Sequence, residues 1–192
     1  MSDSETSLDP RATLEVQNVV ASSRIDQELD LQSVAMDFHG ADYDPEHFPG
    51  LIYRVEEPRG TVLLFRSGKI VATGIESSEA VERVLATVFA ELGDLGLDVP
   101  TEPAITIQNI VADADFGQQL NLNAIAIGLG LDIVEYEPEQ FPGLVYRVED
   151  PSVVLLLFGS GKLVVTGATT REEAEHAIDV VESRLDDLGL LA

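Results

Sequence analysis

Two segments of this chain are nearly the same sequence. Residues 43–74 read YDPEHFPGLIYRVEEPRGTVLLFRSGKIVATG and residues 136–167 read YEPEQFPGLVYRVEDPSVVLLLFGSGKLVVTG, with 21 of 32 positions identical and no gap. Upstream, QNVVA at 17–21 matches QNIVA at 108–112. Such an internal repeat constrains the fold more than any other feature, because it predicts two copies of one folding unit.

The domain organisation follows from this duplication. The sequence predicts a disordered acidic tail at residues 1–12, a first repeat at 13–98, a linker at 99–103 and a second repeat at 104–192. The linker reads VPTEP, and its two prolines cannot continue a helix or an inner strand. A chain of 192 residues is long enough for two small units that each have a core.

Each repeat has the pattern of an extended segment, a short helix, a three-strand meander and a longer helix. In the first copy we expect strands at 14–22, 51–56, 61–65 and 69–73, with turns at 57–60 and 66–68. Asp30 is a candidate N-cap for a helix through about Phe38, and Ser77 for the longer helix. In the second copy, Thr170 and Glu173 form a capping-box pattern.

The meander strands are apolar on both faces. Residues 61–65 read TVLLF and residues 153–158 read VVLLLF, without the alternation of a sheet that is covered on one face. Two helices per repeat can cover one face only, so a large apolar face should remain exposed and serve a partner. A dimer interface or a second covering layer is the alternative interpretation.

The charge argues at first against nucleic acid. The chain has 11 basic and 35 acidic residues, a net charge of −24 and a pI near 4.1, whereas phosphate binding normally needs a basic surface. Either the partner is cationic or the acidic surface is an adaptation to a salt-rich cytoplasm. Residues 1–100 and 101–192 each have a net charge of −12, and this even distribution favours the adaptation.

The sequence predicts no enzyme, no cofactor and no metal site. There is no cysteine, no apolar run long enough for a bilayer and no signal-peptide pattern at the acidic N-terminus. The GSGK at 159–162 lacks the flanking residues of a phosphate-binding loop and leads into a strand. The three histidines (His39, His47 and His176) have no counterparts in the other repeat.

Three pairs of recurring residues lack an obvious structural role. Phe48 and Phe141 each precede Pro-Gly at a turn, and Phe65 and Phe158 end hairpin strands next to Ser-Gly-Lys. Asn18 and Asn109 lie inside strands, where asparagine is disfavoured. Strand alternation places four apolar residues on the faces of these pairs: Val20, Val111, Leu63 and Leu156.

These motifs resemble the TATA-box-binding protein family. The resemblance covers Leu14 to Leu190 and rests on QN[VI]VA, FPGL[IV]YRVE[ED]P, LLF-x-SGK and V-x-TG, each present twice. It implies an α+β fold: a two-repeat saddle with one curved antiparallel sheet, helices on the convex face and an apolar concave face on DNA. Minor-groove binding and kinking are properties of that family and do not follow from the spacing here.

The resemblance also implies roles for individual residues. It implies two wedge pairs that enter base steps: Phe48 with Phe65, and Phe141 with Phe158. It implies groove donors and their flanking hydroxyls (Asn18, Asn109, Thr73 and Thr166) and an apolar floor (Val20, Val71, Val111, Val164, Leu63 and Leu156). It implies phosphate contacts by Arg54, Arg59, Lys69, Arg147 and Lys162.

Departures from the family pattern fall in the second repeat. Ser152 replaces the counterpart of Arg59, and Asp113 stands where the first repeat has Ser22, so the second repeat is expected to hold DNA less tightly.

By the same resemblance, Glu137 and Glu139 belong to a loop that contacts transcription factor B, and RNA polymerase is an indirect partner. The implied function is that of a general transcription factor for a T/A-rich promoter element in an archaeal, haloarchaeal cell. The implied location is the cytoplasm, at the nucleoid. The rival interpretations are a protein that closes its apolar face over a small apolar ligand and one that dimerises through that face.

Overall fold

The computed structural model describes residues 9–192, and the first eight residues of the predicted tail lie outside the described residues. The chain forms two compact units. The first unit is Asn18–Asn109, and the second unit combines Met1–Gln17 with Ile110–Ala192. The units therefore differ from the sequence repeats at their edges, because the segment before Asn18 packs with the second repeat.

The first unit is an antiparallel sheet with two helices. Its strands follow the order β2-β3-β4-β1, and each neighbouring pair is antiparallel. The strands are β1 (Glu15–Arg24, of which residues 18–24 lie in this unit), β2 (Leu51–Val55), β3 (Gly60–Leu64) and β4 (Lys69–Ile75). The helices are α1 (Leu31–Asp37) and α2 (Ser78–Asp94).

The second unit repeats this arrangement and adds a short edge strand. Its strand order is β5-β9-β8-β7-β6, again antiparallel. The strands are β5 (Thr106–Asp115), β6 (Val134–Glu135), β7 (Leu144–Val148), β8 (Val153–Leu157) and β9 (Lys162–Ala168). The helices are α3 (Leu122–Leu129) and α4 (Arg171–Asp187).

The helices begin where the sequence predicts. Asp30 accepts hydrogen bonds from the backbone of Gln32 and Ser33 and caps α1. Ser77 accepts from Ala80 N and caps α2. These caps satisfy backbone donors that have no partner within the first helical turn.

The second long helix has a variant of the predicted capping box. Thr170 accepts from Glu173 N, whereas the Glu173 carboxylate reaches back to Thr169, one residue before the expected partner. These hydrogen bonds from Thr169 lower the pKa of Glu173.

One face of each sheet is packed on its helices. Along β3 the residues alternate, so that Val62 and Leu64 are fully buried while Leu63 is half-buried. In β8, Leu155 and Leu157 are buried and Leu156 is half-buried. The buried set faces α2 in the first unit and α4 in the second. Within residues 9–192, the strand residues on the other face of each sheet are half-buried or exposed.

Residues 9–12 do not belong to a disordered tail, and the prediction is wrong for them. Pro10–Thr13 form a 3-10 helix that contacts α4, with Pro10 buried. The Arg11 guanidinium lies 3.1 Å from carboxylate oxygens of both Asp9 and Asp179. Leu14 is buried in the hydrophobic core of the second unit. The segment is ordered because it buries apolar surface against the second repeat.

A partly buried hydrogen bond links strand β2 to helix α2. The Tyr53 hydroxyl donates to the Glu91 carboxylate over 2.9 Å, and burial followed by this hydrogen bond raises the pKa of Tyr53 to about 12. The phenol therefore stays protonated and remains a donor. Among residues 9–192, no helix has the length and hydropathy of a membrane span.

Candidate nucleic-acid interface

The uncovered face of the first sheet is apolar at its centre and charged at its ends. We call it the first open face. Antiparallel partners point to the same side of a sheet, so the register identifies its members. One row joins Ile52, Leu63, Val71 and Ser22, the next joins Arg54, Thr61 and Thr73, and Lys69 pairs with Arg24.

The second open face repeats these rows in the second unit. Val145, Leu156, Val164 and Asp113 form one row, Arg147, Val154, Thr166 and Val111 form the next, and Lys162 pairs with Asp115. The apolar members of both faces are half-buried, in contrast to the fully buried residues beside them in each strand. Both faces therefore present apolar surface that no helix of the same unit covers.

Most of the residues that the sequence singled out are brought together on these faces. The register above places on the open faces both leucines, four of the five cations and three of the four valines (Val71, Val111 and Val164). Val20 lies at the bulge of β1 and is half-buried. The register also adds six residues that the sequence analysis missed: Ile52, Thr61, Arg24, Val145, Val154 and Asp115. They have the same alternation as Leu63 and Leu156, which is the signal that could have identified them.

The four phenylalanines form two pairs of nearly equal geometry. Phe48 and Phe65 have ring centroids 5.9 Å apart at an interplanar angle of 66°, and Phe141 and Phe158 have 5.9 Å and 71°. Edge-to-face contacts of this kind fix both rings relative to each other. Phe141 is 40% exposed, whereas the other three rings are half-buried. The sequence predicted these pairs, and the structure brings each together within one unit.

A glycine lies against each ring pair. A Cβ atom at Gly50 would lie 2.7 Å from Cε1 of Phe48, and one at Gly143 would lie 2.6 Å from Cε1 of Phe141. Both distances are shorter than van der Waals contact, so any larger residue would displace a ring. The Pro-Gly that follows Phe48 and Phe141 is therefore part of the ring pair and not only a turn.

The amide of Asn18 is fixed at the edge of the first open face. Gly74 N donates to Asn18 Oδ1 over 2.8 Å, and Asn18 Nδ2 donates to Thr73 Oγ1 over 3.5 Å. A bulge between Val19 and Ala21 brings β1 into this position beside β4. The amide nitrogen has two hydrogens and Thr73 takes at most one, so a donor remains for a ligand.

The five predicted phosphate-binding cations are all exposed, but their settings differ. Arg147 forms an ion pair with Glu135, with Nη2 3.3 Å from Oε1, and Glu135 lies in the same row as Val145. Arg59 lies in the turn between β2 and β3 and not on a strand. The second repeat thus offers a weaker cationic edge than the first.

Glu137 and Glu139 lie in the loop before the second phenylalanine pair. Both are exposed, and the backbone carbonyl of Glu137 accepts from Phe141 N over 3.0 Å. The amide of Gln140 donates to the Glu137 carboxylate. The loop that positions Phe141 therefore also contains these two exposed carboxylates. Within residues 9–192, no group of three His, Cys, Asp or Glu side chains is arranged to hold a metal ion.

The two units define a class of protein: a duplicated α+β domain in which each antiparallel sheet has one helix-covered face and one open apolar face ending at a phenylalanine pair. The family model described as Transcription factor TFIID (or TATA-binding protein, TBP) matches residues 13–95 and 104–188. The chain belongs to the TATA-box-binding protein family.

Individual relatives and a solved structure agree with this assignment. The chain is 62% identical to TATA-box-binding protein E of Halobacterium salinarum over 95% of this chain and 98% of the relative. It is 63% identical to TATA-box-binding protein 1 of Haloferax volcanii over 95% and 97%. The structure of Methanococcus jannaschii TBP matches with a TM-score of 0.83 and 46% identity over 91% of this chain and 99% of that chain. This match confirms the predicted α+β, two-repeat fold class.

Proposed function

We propose that this protein is a general transcription factor that binds the minor groove of a T/A-rich promoter element with its two open faces and kinks the DNA. The proposal rests on the two phenylalanine pairs. In each pair the ring centroids are 5.9 Å apart, and a glycine lies against the rings. Apolar wedges of this kind unstack base steps, and the cost of a few kcal/mol per step is offset by the apolar surface that the bent groove covers.

The apolar floor supports selection for T/A-rich DNA. Val71 and Leu63 are direct neighbours on the first face, as Val164 and Leu156 are on the second. In the minor groove, a G·C pair differs from an A·T pair by the amino group of guanine. Against this apolar floor, the guanine amino group would lose its bound water without gaining a hydrogen-bond acceptor, which is unfavourable.

Asn18 supports recognition at the floor of the groove. Because Gly74 N holds its carbonyl oxygen at 2.8 Å, the amide nitrogen has a fixed direction. A·T pairs present only acceptors in the minor groove, adenine N3 and thymine O2, and an amide donor matches them. We assign the same role to Asn109 by its equivalent position in the repeat.

Exposed cations at the ends of the faces support phosphate contacts. Arg54, Lys69, Arg147 and Lys162 are exposed cations on the open faces, and Arg59 lies in a neighbouring turn. Only 11 basic residues occur in the whole chain, so this concentration distinguishes the faces from the acidic remainder. Such contacts position a protein on DNA but do not read its sequence.

Recruitment of transcription factor B, and through it RNA polymerase, is assigned to the loop with Glu137 and Glu139. Both carboxylates are exposed in the loop that precedes Phe141, so they can bind a basic surface while the ring engages DNA. DNA as the ligand also places the protein in the cytoplasm at the nucleoid. We assign it no catalytic activity.

The test is a binding titration with a T/A-rich and a G/C-rich duplex of equal length, in molar potassium chloride. We expect tight binding and bending of the T/A-rich duplex only. Equal binding of both duplexes would remove the assigned groove selectivity. Dimerisation without DNA binding, measured by sedimentation, would support the self-association interpretation, and uptake of an apolar dye without DNA binding would support the ligand-binding one.

A further inference from the structure

The ends of the two open faces differ in charge at equivalent positions. In the first unit, Arg24 pairs with Lys69, so two cations are adjacent where β1 ends and β4 begins. In the second unit, Asp115 occupies the position of Arg24 and pairs with Lys162. We call these two places the first rim and the second rim.

The neighbours of each rim increase this difference. At the first rim, Ser22 precedes Arg24 on the same face and accepts a hydrogen bond from Gln108 Nε2 over 2.8 Å. The second rim borders a surface cavity of about 410 Å³ lined by Glu15, Gln17, Asp113, Asp115 and Lys162, among others. The first rim thus has two cations and the one carboxylate of Asp26, whereas the second has one cation and three carboxylates.

Each rim adjoins one phenylalanine pair. Phe65 N donates to Lys69 O over 3.0 Å, and Phe158 N donates to Lys162 O over 2.9 Å. Phe158 also lines the cavity at the second rim. Because the rings are the proposed kinking wedges, the rims are where phosphates of the kinked DNA come closest to the strand ends.

Arg24 is free to exchange its present partner for a phosphate. Its only ion pair among the described residues is with Asp26 at 3.3 Å, and the two side chains are 69% and 93% exposed. Exposed pairs of this kind contribute little to stability. Nε makes the present contact with Asp26, and the planar guanidinium can bind two oxygens of a DNA phosphate at once.

We propose that Arg24 is a further phosphate-contacting residue, and that it makes the first repeat the stronger of the two electrostatic contacts with DNA. This inference rests on the proposed function. At the first rim, DNA binding releases counterions from phosphates that Arg24 and Lys69 neutralise. At the second rim, the carboxylates of Glu15, Asp113 and Asp115 offset Lys162, so phosphates there are held mainly by the apolar face.

The first test compares Arg24→Gln with Arg83→Gln. Arg83 is exposed on α2, so the control removes the same charge away from the open faces. One phosphate contact changes the salt slope by about 0.9, so the affinity deficit of Arg24→Gln relative to the parent protein should shrink about eightfold between 0.1 and 1 M salt. Arg83→Gln should keep the parent slope. Identical slopes for the two variants would overturn the assignment of Arg24.

The second test locates the contact on the DNA. Because the chain has no cysteine, Glu46→Cys provides a single attachment point for a DNA-cleaving reagent, next to the first phenylalanine pair. Cleavage identifies the end of the duplex that the first repeat binds. Methylphosphonates at that end should lower affinity more for the parent protein than for Arg24→Gln, which keeps only Lys69 there, and at the other end they should leave affinity equal or higher.

The outcomes separate this inference from the proposed function. If the parent protein binds and bends T/A-rich DNA but neutral phosphates at the two ends have equal effects, only the inequality of the repeats fails. If the parent protein does not bind the T/A-rich duplex at all, the proposed function is wrong and this inference is wrong as well.

Discussion

The two open faces have the same geometry but differ in the charges at their ends. Their phenylalanine pairs have the same centroid separation of 5.9 Å, and their leucine and valine rows have the same register. Their charges have diverged, with Ser22 and Arg24 on one face against Asp113 and Asp115 on the other. Geometry is conserved between the repeats, and so are the charges at Arg54/Arg147 and Lys69/Lys162, but the charges at the positions of Ser22 and Arg24 are not.

The range of the two kinds of interaction explains this difference. Apolar contact and wedge insertion act at van der Waals distance, where a small displacement removes the interaction. Charge–charge interactions between exposed groups are screened, with a Debye length of about 30 Å at 0.01 M salt but about 3 Å at 1 M. In a salt-rich cytoplasm, a rim can therefore change charge with little effect on binding, whereas a displaced ring would abolish the kink.

The largest effect should come from removing a ring. We expect Phe65→Ala and Phe158→Ala each to lower affinity about tenfold to a hundredfold, since base–aromatic stacking is worth roughly 1–3 kcal/mol. The two losses should be similar because the pair geometries are similar. The bend, measured by energy transfer between dyes at the duplex ends, should decrease in both. Ile127→Ala, at a side chain 77% exposed on α3, is the control. An undiminished bend in both ring variants would show that the rings are not wedges.

The acidic loop of the second repeat should separate partner binding from DNA binding. We expect Glu139→Arg to weaken formation of the ternary complex with transcription factor B about tenfold, because a cation replaces an exposed carboxylate that would bind a basic surface. Affinity for DNA alone should be unchanged. Glu46→Arg, at the equivalent position of the first repeat, is the matched control. A gel-shift series in which both variants recruit the factor equally would remove the role of Glu139.

A smaller loss should follow from filling the space behind a ring pair. In Gly143→Ala, the new Cβ would lie 2.6 Å from Phe141 Cε1, so the ring has to move. We expect a several-fold loss of affinity and a smaller bend, with a normal thermal unfolding midpoint. Gly159→Ala is the control, because its Cβ would have its nearest contact 3.7 Å away, at Leu120 O. Equal behaviour of the two alanine variants would mean that the ring position is not critical.

The smallest effect should come from exchanging charge between the rims. Because both the protein and DNA are polyanions, affinity should rise as potassium chloride increases from low salt into the molar range. Asp113→Ser, which installs the first-repeat residue, should flatten this rise, and Ser22→Asp should steepen it. The changes should be a few-fold at 0.1 M and vanish near 1 M, where the charges are screened. A monotonic loss of affinity with added salt would contradict this interpretation of the acidic surface.

Local patterns predicted much of this structure. The duplication, the meander strands and the caps at Asp30 and Ser77 follow from turn residues, alternation and capping, each of which acts over a few residues. The phenylalanine pairs could be identified for a different reason. Their motif recurs in both repeats, and it resembles a known family.

Long-range contacts were beyond sequence reasoning. The sequence assigns residues 9–12 to a tail because the anchors of this segment are distant: Thr13 bonds to Asp115, 102 positions away, and the Leu14 carbonyl accepts from Arg171, 157 positions away. The ion pair of Arg147 with Glu135 was also missed. Strand β6 has only two residues, which is too short to show a period.

The central claim is that the open faces read the minor groove, and inosine substitution tests it most directly. An I·C pair has the minor-groove acceptors of A·T without the guanine amino group, while its major groove resembles G·C. The account predicts that a duplex with I·C in place of every A·T pair of the site binds within about threefold of the T/A duplex, and about a hundredfold or more above the G·C duplex, since each mismatched pair costs roughly 1–3 kcal/mol. Binding of the I·C duplex as weak as that of the G·C duplex would contradict it.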